Sequence, residues 1–266
     1  MDTPASGIDM ATDPARAGFW RRFASILIDS IIVMLPLQLL AAALFAMTAG
    51  TVQMPSGFFH ACEHGGSKHI PEILRPLAPR ESNFITFCRT SFFGMTTGRT
   101  VTVGRTTQEG NLTTTVTTSY LQDKDDKVIK GIDIDWVFYF ALIIYLVAMI
   151  SKRGRTLGGQ AVRIRVIDAA NPGARQVPLR KVMLRYLVMG IGVMPMVVFY
   201  AYQYWSKGGI ADAMFTAEAY PVFAATVVFS GLWALALTIQ IAKKTDPIYD
   251  RAAGTAVIRT SPSRPQ

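Results

Sequence analysis

Charge is scarce in this chain. Only 17% of its 266 residues are Asp, Glu, Lys or Arg, against roughly 25% in soluble domains. Half of the residues are hydrophobic, so an ordinary water-soluble fold would leave apolar surface uncovered. Cysteine is limited to Cys62 and Cys88, and histidine to His60, His64 and His69. That supply admits one disulfide and matches no strong zinc spacing. No phosphate-cradling glycine loop, dinucleotide fingerprint, catalytic-triad pattern or internal repeat occurs. These absences remove the usual grounds for expecting catalysis or a cofactor, and neither is expected.

What the chain does have is long apolar runs, which point to an integral membrane protein. The formal charge of +9 is read by location: basic residues beside apolar runs record topology, and no nucleic-acid partner is expected. Residues 1–17 read as a disordered cytoplasmic arm. Residues 18–50 hold the first span, about Phe23 to Met47, with Pro36 and Gln38 near its middle. The apolar run is too long, and carries too many acidic residues around it, for a simple signal peptide. Further spans are expected at 132–150, 182–205 and 220–242. The stretch between 151 and 185 carries Lys152, Arg153, Arg155, Arg163, Arg165, Arg175, Arg180, Lys181 and Arg185 against Asp168 alone. It therefore belongs on the cytoplasmic side, where its basic face is also suited to anionic lipid headgroups. Within it, AVRIRVID alternates as a strand does, and NPG followed by QVPL suggests a local hairpin. Residues 259–266 read as a disordered tail. Four spans with both termini in the cytoplasm, in a cell membrane of the bacterial inner type, satisfy every loop bias.

Residues 51–131 break the apolar pattern and read as an extracytoplasmic α+β insertion. TVTVGRTTQEGNLTTTVTTSY within it is rich in β-branched residues around a QEGN turn, the signature of a β-hairpin. Asn111 opens a formal glycosylation sequon. In an oxidising compartment Cys62 and Cys88 pair most simply as a disulfide. Zinc held by His60, Cys62, Glu63 and His64 is the weaker alternative. The overall expectation is an all-α membrane fold of four transmembrane helices, with that insertion and a short cytoplasmic hairpin.

The most informative residue is Asp29, a carboxylate inside the first apolar run. Arg22 lies seven residues earlier, on nearly the same helix face but about 10 Å away along the axis. An ionised carboxylate facing lipid costs on the order of 2.5–3.5 kcal/mol, so Asp29 must face protein. Arg22 and Arg185 are the candidate cations, while Arg21 is rotated by about 100° from Arg22.

Three stretches resemble the RDD family of membrane proteins. GFWRRFASILIDSIIV matches its opening through Arg22 and Asp29. GRTLGGQAVRIRVID matches its G-x-T-x-G loop through Gly154, Thr156 and Gly158, with the following strand at Val166. DPIYDRAAGTAVI matches its closing segment through Asp250 and Thr255. Gly159 stands where the family usually has lysine, and Asp246-Pro247 replaces a more basic approach to the last aspartate. The resemblance implies a multi-pass domain whose shared motifs include Arg22, Asp29, Asp250 and Thr255; together with Arg185, the second candidate cation, these are the expected polar transport or structural site. Two functions are expected to compete. One is small-cation/proton transport using the buried carboxylate, with an oligomer supplying further polar groups. The other is a non-catalytic assembly or accessory role, with the insertion contacting a membrane partner.

Overall fold

The computed structural model of the chain describes residues 16–76, 78–110, 112–207, 219–243 and 245–260. The expected arm up to residue 15, the sequon residue Asn111 and the tail from residue 261 lie outside them. Among the described residues, three helices are long and apolar enough to cross a bilayer: α1 (Phe19–Met47), α2 (Asp135–Arg153) and α6 (Tyr220–Ala242). At about 1.5 Å per residue, even the shortest, α2 with 19 residues, nearly matches a ~30 Å hydrocarbon core.

The third expected span is broken. Helices α4 (Leu179–Gly190) and α5 (Met194–Lys207) meet at a 67° bend. The break frees backbone carbonyls, and the Ser230 hydroxyl of α6 donates to one of them, Gly192 O, at 2.6 Å. This is how a broken helix is tolerated in an apolar setting.

The all-α expectation is overturned. Strands form three sheets among the described residues, the largest an antiparallel five-stranded meander. Its strands are β2 (Phe59–Gly66), β3 (Phe84–Phe92), β4 (Met95–Glu109), β5 (Leu112–Gln122) and β6 (Val128–Ile129). The short β1 (Val52–Gln53) and β7 (Ile132–Asp133) pair in parallel beside it. Composition led to the error: apolar helices dominate the hydropathy, while this Thr-rich segment is polar enough to read as a mixed insertion. Among the described residues between 51 and 131, the helical content is two 3-10 turns, Ser67–His69 and Glu72–Leu74. The hairpin between residues 100 and 120 is present as β4 and β5, which pair as far as Glu109 and Leu112 at the turn.

The chain divides into two compact units. One holds the meander with residues 30–143 and 197–225. Its core is Ile85, Val101 and Val103 from the sheet, covered by Ile70 and Leu74. Cys62 and Cys88 face each other across β2 and β3 and are joined by a disulfide. The bond ties an exposed edge strand to its neighbour.

The other unit gathers residues 1–29, 144–196 and 226–266. It contains a short helix α3 (Leu157–Ala161), strand β8 (Ile164–Asp168), helix α7 (Ile248–Ala253) and strand β9 (Thr255–Arg259). The expected local hairpin does not form: β8 pairs antiparallel with β9, from Ile164 and Arg259 to Asp168 and Thr255. Pro178 in QVPL lacks an amide donor and caps α4 instead, whereas β9 offers a full ladder. Ala17 N adds to the far edge of β9 by donating to Val257 O at 2.9 Å. Ala17, Val147, Ile150, Ile164, Val166, Val177, Val182 and Val257 make one core beneath this small sheet.

Candidate functional site: two buried carboxylates

Asp29 is 1% exposed, and its partners are neutral. One oxygen, Oδ1, accepts from the Gly158 amide at 2.7 Å and the Tyr145 hydroxyl at 2.9 Å. The other, Oδ2, accepts from the Thr156 hydroxyl at 2.6 Å and, at a longer 3.4 Å, from the Ser25 hydroxyl one turn earlier. A carboxylate offers about four lone-pair sites, and each is met by a donor. The expected arginine partner is thus a correction: neither Arg22 nor Arg185 bonds Asp29. Coulomb attraction suggested a cation, but oriented dipoles from three elements serve the same carboxylate.

The G-x-T-x-G loop is built to deliver those donors. Gly154 ends α2 in the left-handed region, φ 66°, its amide closing on Ile150 O at 2.8 Å; a side chain is disfavoured there. Thr156 is the N-cap of α3, accepting from the Gly159 amide at 2.9 Å while its own proton goes to Asp29. A Cβ on Gly158 would fall 2.2 Å from Ser25 O and 2.8 Å from Asp29 Cγ. Only glycine lets the loop backbone come this close to α1. Tyr145 completes the circuit, its hydroxyl accepting from Leu157 N at 3.0 Å.

Asp250, fully buried on α7, is the carboxylate that meets the arginines. Arg22 Nη1 lies 2.9 Å from its Oδ2, and Arg185 Nη1 bonds its Oδ1. The Thr255 hydroxyl donates to Oδ1 at 2.7 Å. Arg22 also donates to Ala17 O at 3.1 Å and to the Tyr249 hydroxyl at 3.3 Å. The Arg185 guanidinium sits 4.9 Å from the Tyr249 ring centre, a cation–π distance. Arg22, Arg185, Asp250 and Thr255 are therefore brought together, and Asp29, Thr156 and Gly158 form a second group. Arg21 takes no part and donates to Val162 O at 2.8 Å.

A cavity of about 90 Å³ touches both groups, lined among others by Arg22, Ser25, Asp29, Thr156, Arg185 and Tyr186. At roughly 30 Å³ per molecule it has room for about three waters. At the end of β8, Asp168 accepts from Lys181 Nζ at 2.5 Å and from Ala170 N at 2.9 Å. These bonds, Lys181 first, hold its carboxyl below the usual value of 3.8.

The histidines do not gather into one site. His60 and His64 are exposed on β2 and bond Thr90 and Thr86 at 3.0 and 2.9 Å, while His69 lies in the first 3-10 turn. The group of metal-type ligands that forms, His60 with Cys62 and Cys88, contains the two disulfide sulfurs. Those sulfurs are no longer thiolates, so His60 is its remaining strong donor. Reading the sequence missed Ser25, Tyr145 and Tyr249. Ser25 had a signal, standing four residues before Asp29 on the same face; Tyr145, within an apolar run, had only its polar tip.

Apolar helices of spanning length, with charged groups buried against protein, define a multi-pass membrane protein in contact with lipid. The chain belongs to the RDD family, whose sequence model matches residues 16–254. No curated protein and no solved structure matches significantly.

Proposed function

We propose that this is a non-catalytic membrane assembly or accessory protein, in which the two carboxylates are structural and the five-stranded sheet is the interacting part. One observation carries this reading: Asp29 is met by four donors, and Asp250 by two arginines and a threonine, drawn from several separate elements. Releasing a bond to bind an ion would leave a buried donor unpaired, which costs about 1–3 kcal/mol each. The orientation that fits has both termini and the basic 151–185 stretch in the cytoplasm, by the positive-inside rule. The sheet then lies outside the cell membrane, where a disulfide persists.

The test is proton flux in proteoliposomes under an imposed cation gradient. Wild-type protein is expected to match empty liposomes, while Asp29→Asn lowers folded yield. The cavity of about 90 Å³ beside Asp29 favours a second reading, small-cation/proton exchange. Flux abolished by Asp29→Asn, with stability retained, would replace the first reading by the second. Attachment of a membrane-impermeant label to single cysteines placed in β5 and beside Lys152, in a Cys62→Ser/Cys88→Ser background, tests the orientation.

A further inference from the structure

A second, basic cleft of about 590 Å³ opens among Lys152, Arg153, Arg155, Gln160, Arg165 and Arg175, and shares Arg155 and Arg165 with the wall of the smaller cavity. Five of these are cations, and no carboxylate lines the cleft. Lys152, Arg153, Arg155 and Arg175 are exposed and have no ion pair among the described residues. Arg165 is different. Its Nη2 is fixed on Ala174 O at 2.6 Å, while its buried Nε has no partner.

Topology accounts for basic residues beside a span, but not for their convergence. A positive-inside signal needs charge near the membrane and is indifferent to whether the side chains share one concavity. Here separate pieces of chain supply the walls: the end of α2 with the turn after it, α3, strand β8, the loop before α4, and Thr260 just beyond β9. Like charges brought together repel, and a bound anion removes that penalty. Arginines in number, with planar donor forks, match phosphate oxygens. The cleft has the volume of an ordinary small-ligand site. It also begins at the C-terminal end of α2, a spanning helix, the level at which lipid phosphates lie.

We propose that this cleft is a binding site for a phosphate-bearing anion, delivered either by an anionic phospholipid headgroup or as a free phosphate compound. It goes beyond the assembly role and does not depend on it, because none of its cations bonds Asp29 or Asp250.

The experiment uses the full chain in neutral detergent, with thermal unfolding and native mass spectrometry as readouts. Short-chain phosphatidylglycerol, phosphatidylcholine and pyrophosphate are titrated in parallel. Phosphatidylglycerol is expected to bind and raise the melting midpoint, and phosphatidylcholine is not. Arg153→Gln/Arg175→Gln, two exposed positions outside both carboxylate groups, is expected to weaken binding about 25-fold, at roughly fivefold per cation near an anionic surface. Arg153→Lys/Arg175→Lys, which keeps the charge, is expected to recover most of it. Pyrophosphate binding that the double Gln variant weakens, without phosphatidylglycerol binding, supports the site with a soluble source. Equal binding of both lipids, or anion binding unchanged in the double Gln variant, overturns the proposal.

Discussion

Replacing Asp29 by asparagine tests the central geometry most directly. The change preserves volume and removes the charge, but it turns one acceptor oxygen into a donating amide. All four groups around the carboxylate donate: Gly158 N, Tyr145 Oη, Thr156 Oγ1 and Ser25 Oγ. The Gly158 amide cannot rotate, so the new oxygen must stay on that side and keep Tyr145 as well. The NH2 group then faces Thr156 and Ser25. Thr156 already accepts from Gly159 N, so its own proton loses its target. Two hydrogen bonds to a charged acceptor are lost, worth about 1.5–3 kcal/mol each, and the relief of an uncharged side chain offsets part of this. A net destabilisation of roughly 2–4 kcal/mol follows, or about 5–15 °C in Tm for a domain of this size. Fluorescence-detected thermal unfolding in detergent measures it. Thr156→Val alone should cost less, and the double variant should cost less than the sum, with a coupling of about 1 kcal/mol. An Asp29→Asn protein melting within about 2 °C of wild type would refute the donor-saturated arrangement.

Gly158→Ala should lower the yield of folded protein sharply, because its Cβ meets backbone oxygen of Ser25; Gly159→Ala, whose Cβ would lie 3.2 Å from Thr156 Oγ1, should be much milder when both are compared by size-exclusion profile. Asp250→Asn removes the counter-charge of buried Arg185 and half-buried Arg22 and should cost about 3–5 kcal/mol, more than Asp29→Asn in the same melting assay. Arg22→Gln, which leaves Arg185 on Asp250, should fall between them. Asp168 is held below 3.8 by Lys181, so its contribution is complete above that value and lost as pH falls through the lower folded value. The Tm gap between wild type and Lys181→Met should therefore be constant near neutrality and close only in acid.

The spans were legible because hydropathy integrates over many residues. Their ends were less so; the bend at residues 191–193 had a signal in Gly190, Gly192 and Pro195, which permit a kink, but hydropathy carries no measure of its 67°. The β4–β5 hairpin was legible because its two strands are adjacent and its turn is local. The β8–β9 pairing was not, since nothing in IRVID names TAVIR as its partner and a nearer turn competes for the role. At the site, the residues were legible and the pairing was not. Arg22 and Asp29 share a face of α1, yet the axial rise between them sends Arg22 to Asp250 and leaves Asp29 to the loop. The clue was in the loop itself: a threonine that caps a helix, followed two residues later by a glycine, presents a hydroxyl and an amide in one direction.

The two carboxylates divide the work of fixing this unit. Hydroxyl and amide donors are directional and short-ranged, so the bonds to Asp29 hold the α2–α3 turn closely against α1. Ion pairs tolerate more angular spread, and Asp250 mainly balances two cations that would otherwise be buried unpaired. Each site runs directly into a strand of the same small sheet: the turn that contacts Asp29 leads through α3 into β8, and Asp250 on α7 leads through Gly254 into β9. A shift at either carboxylate must therefore move one strand against the other or break the ladder between them. This mechanical link couples the two sites: on the assembly reading, loss of either aspartate is expected to loosen the same two-stranded ladder.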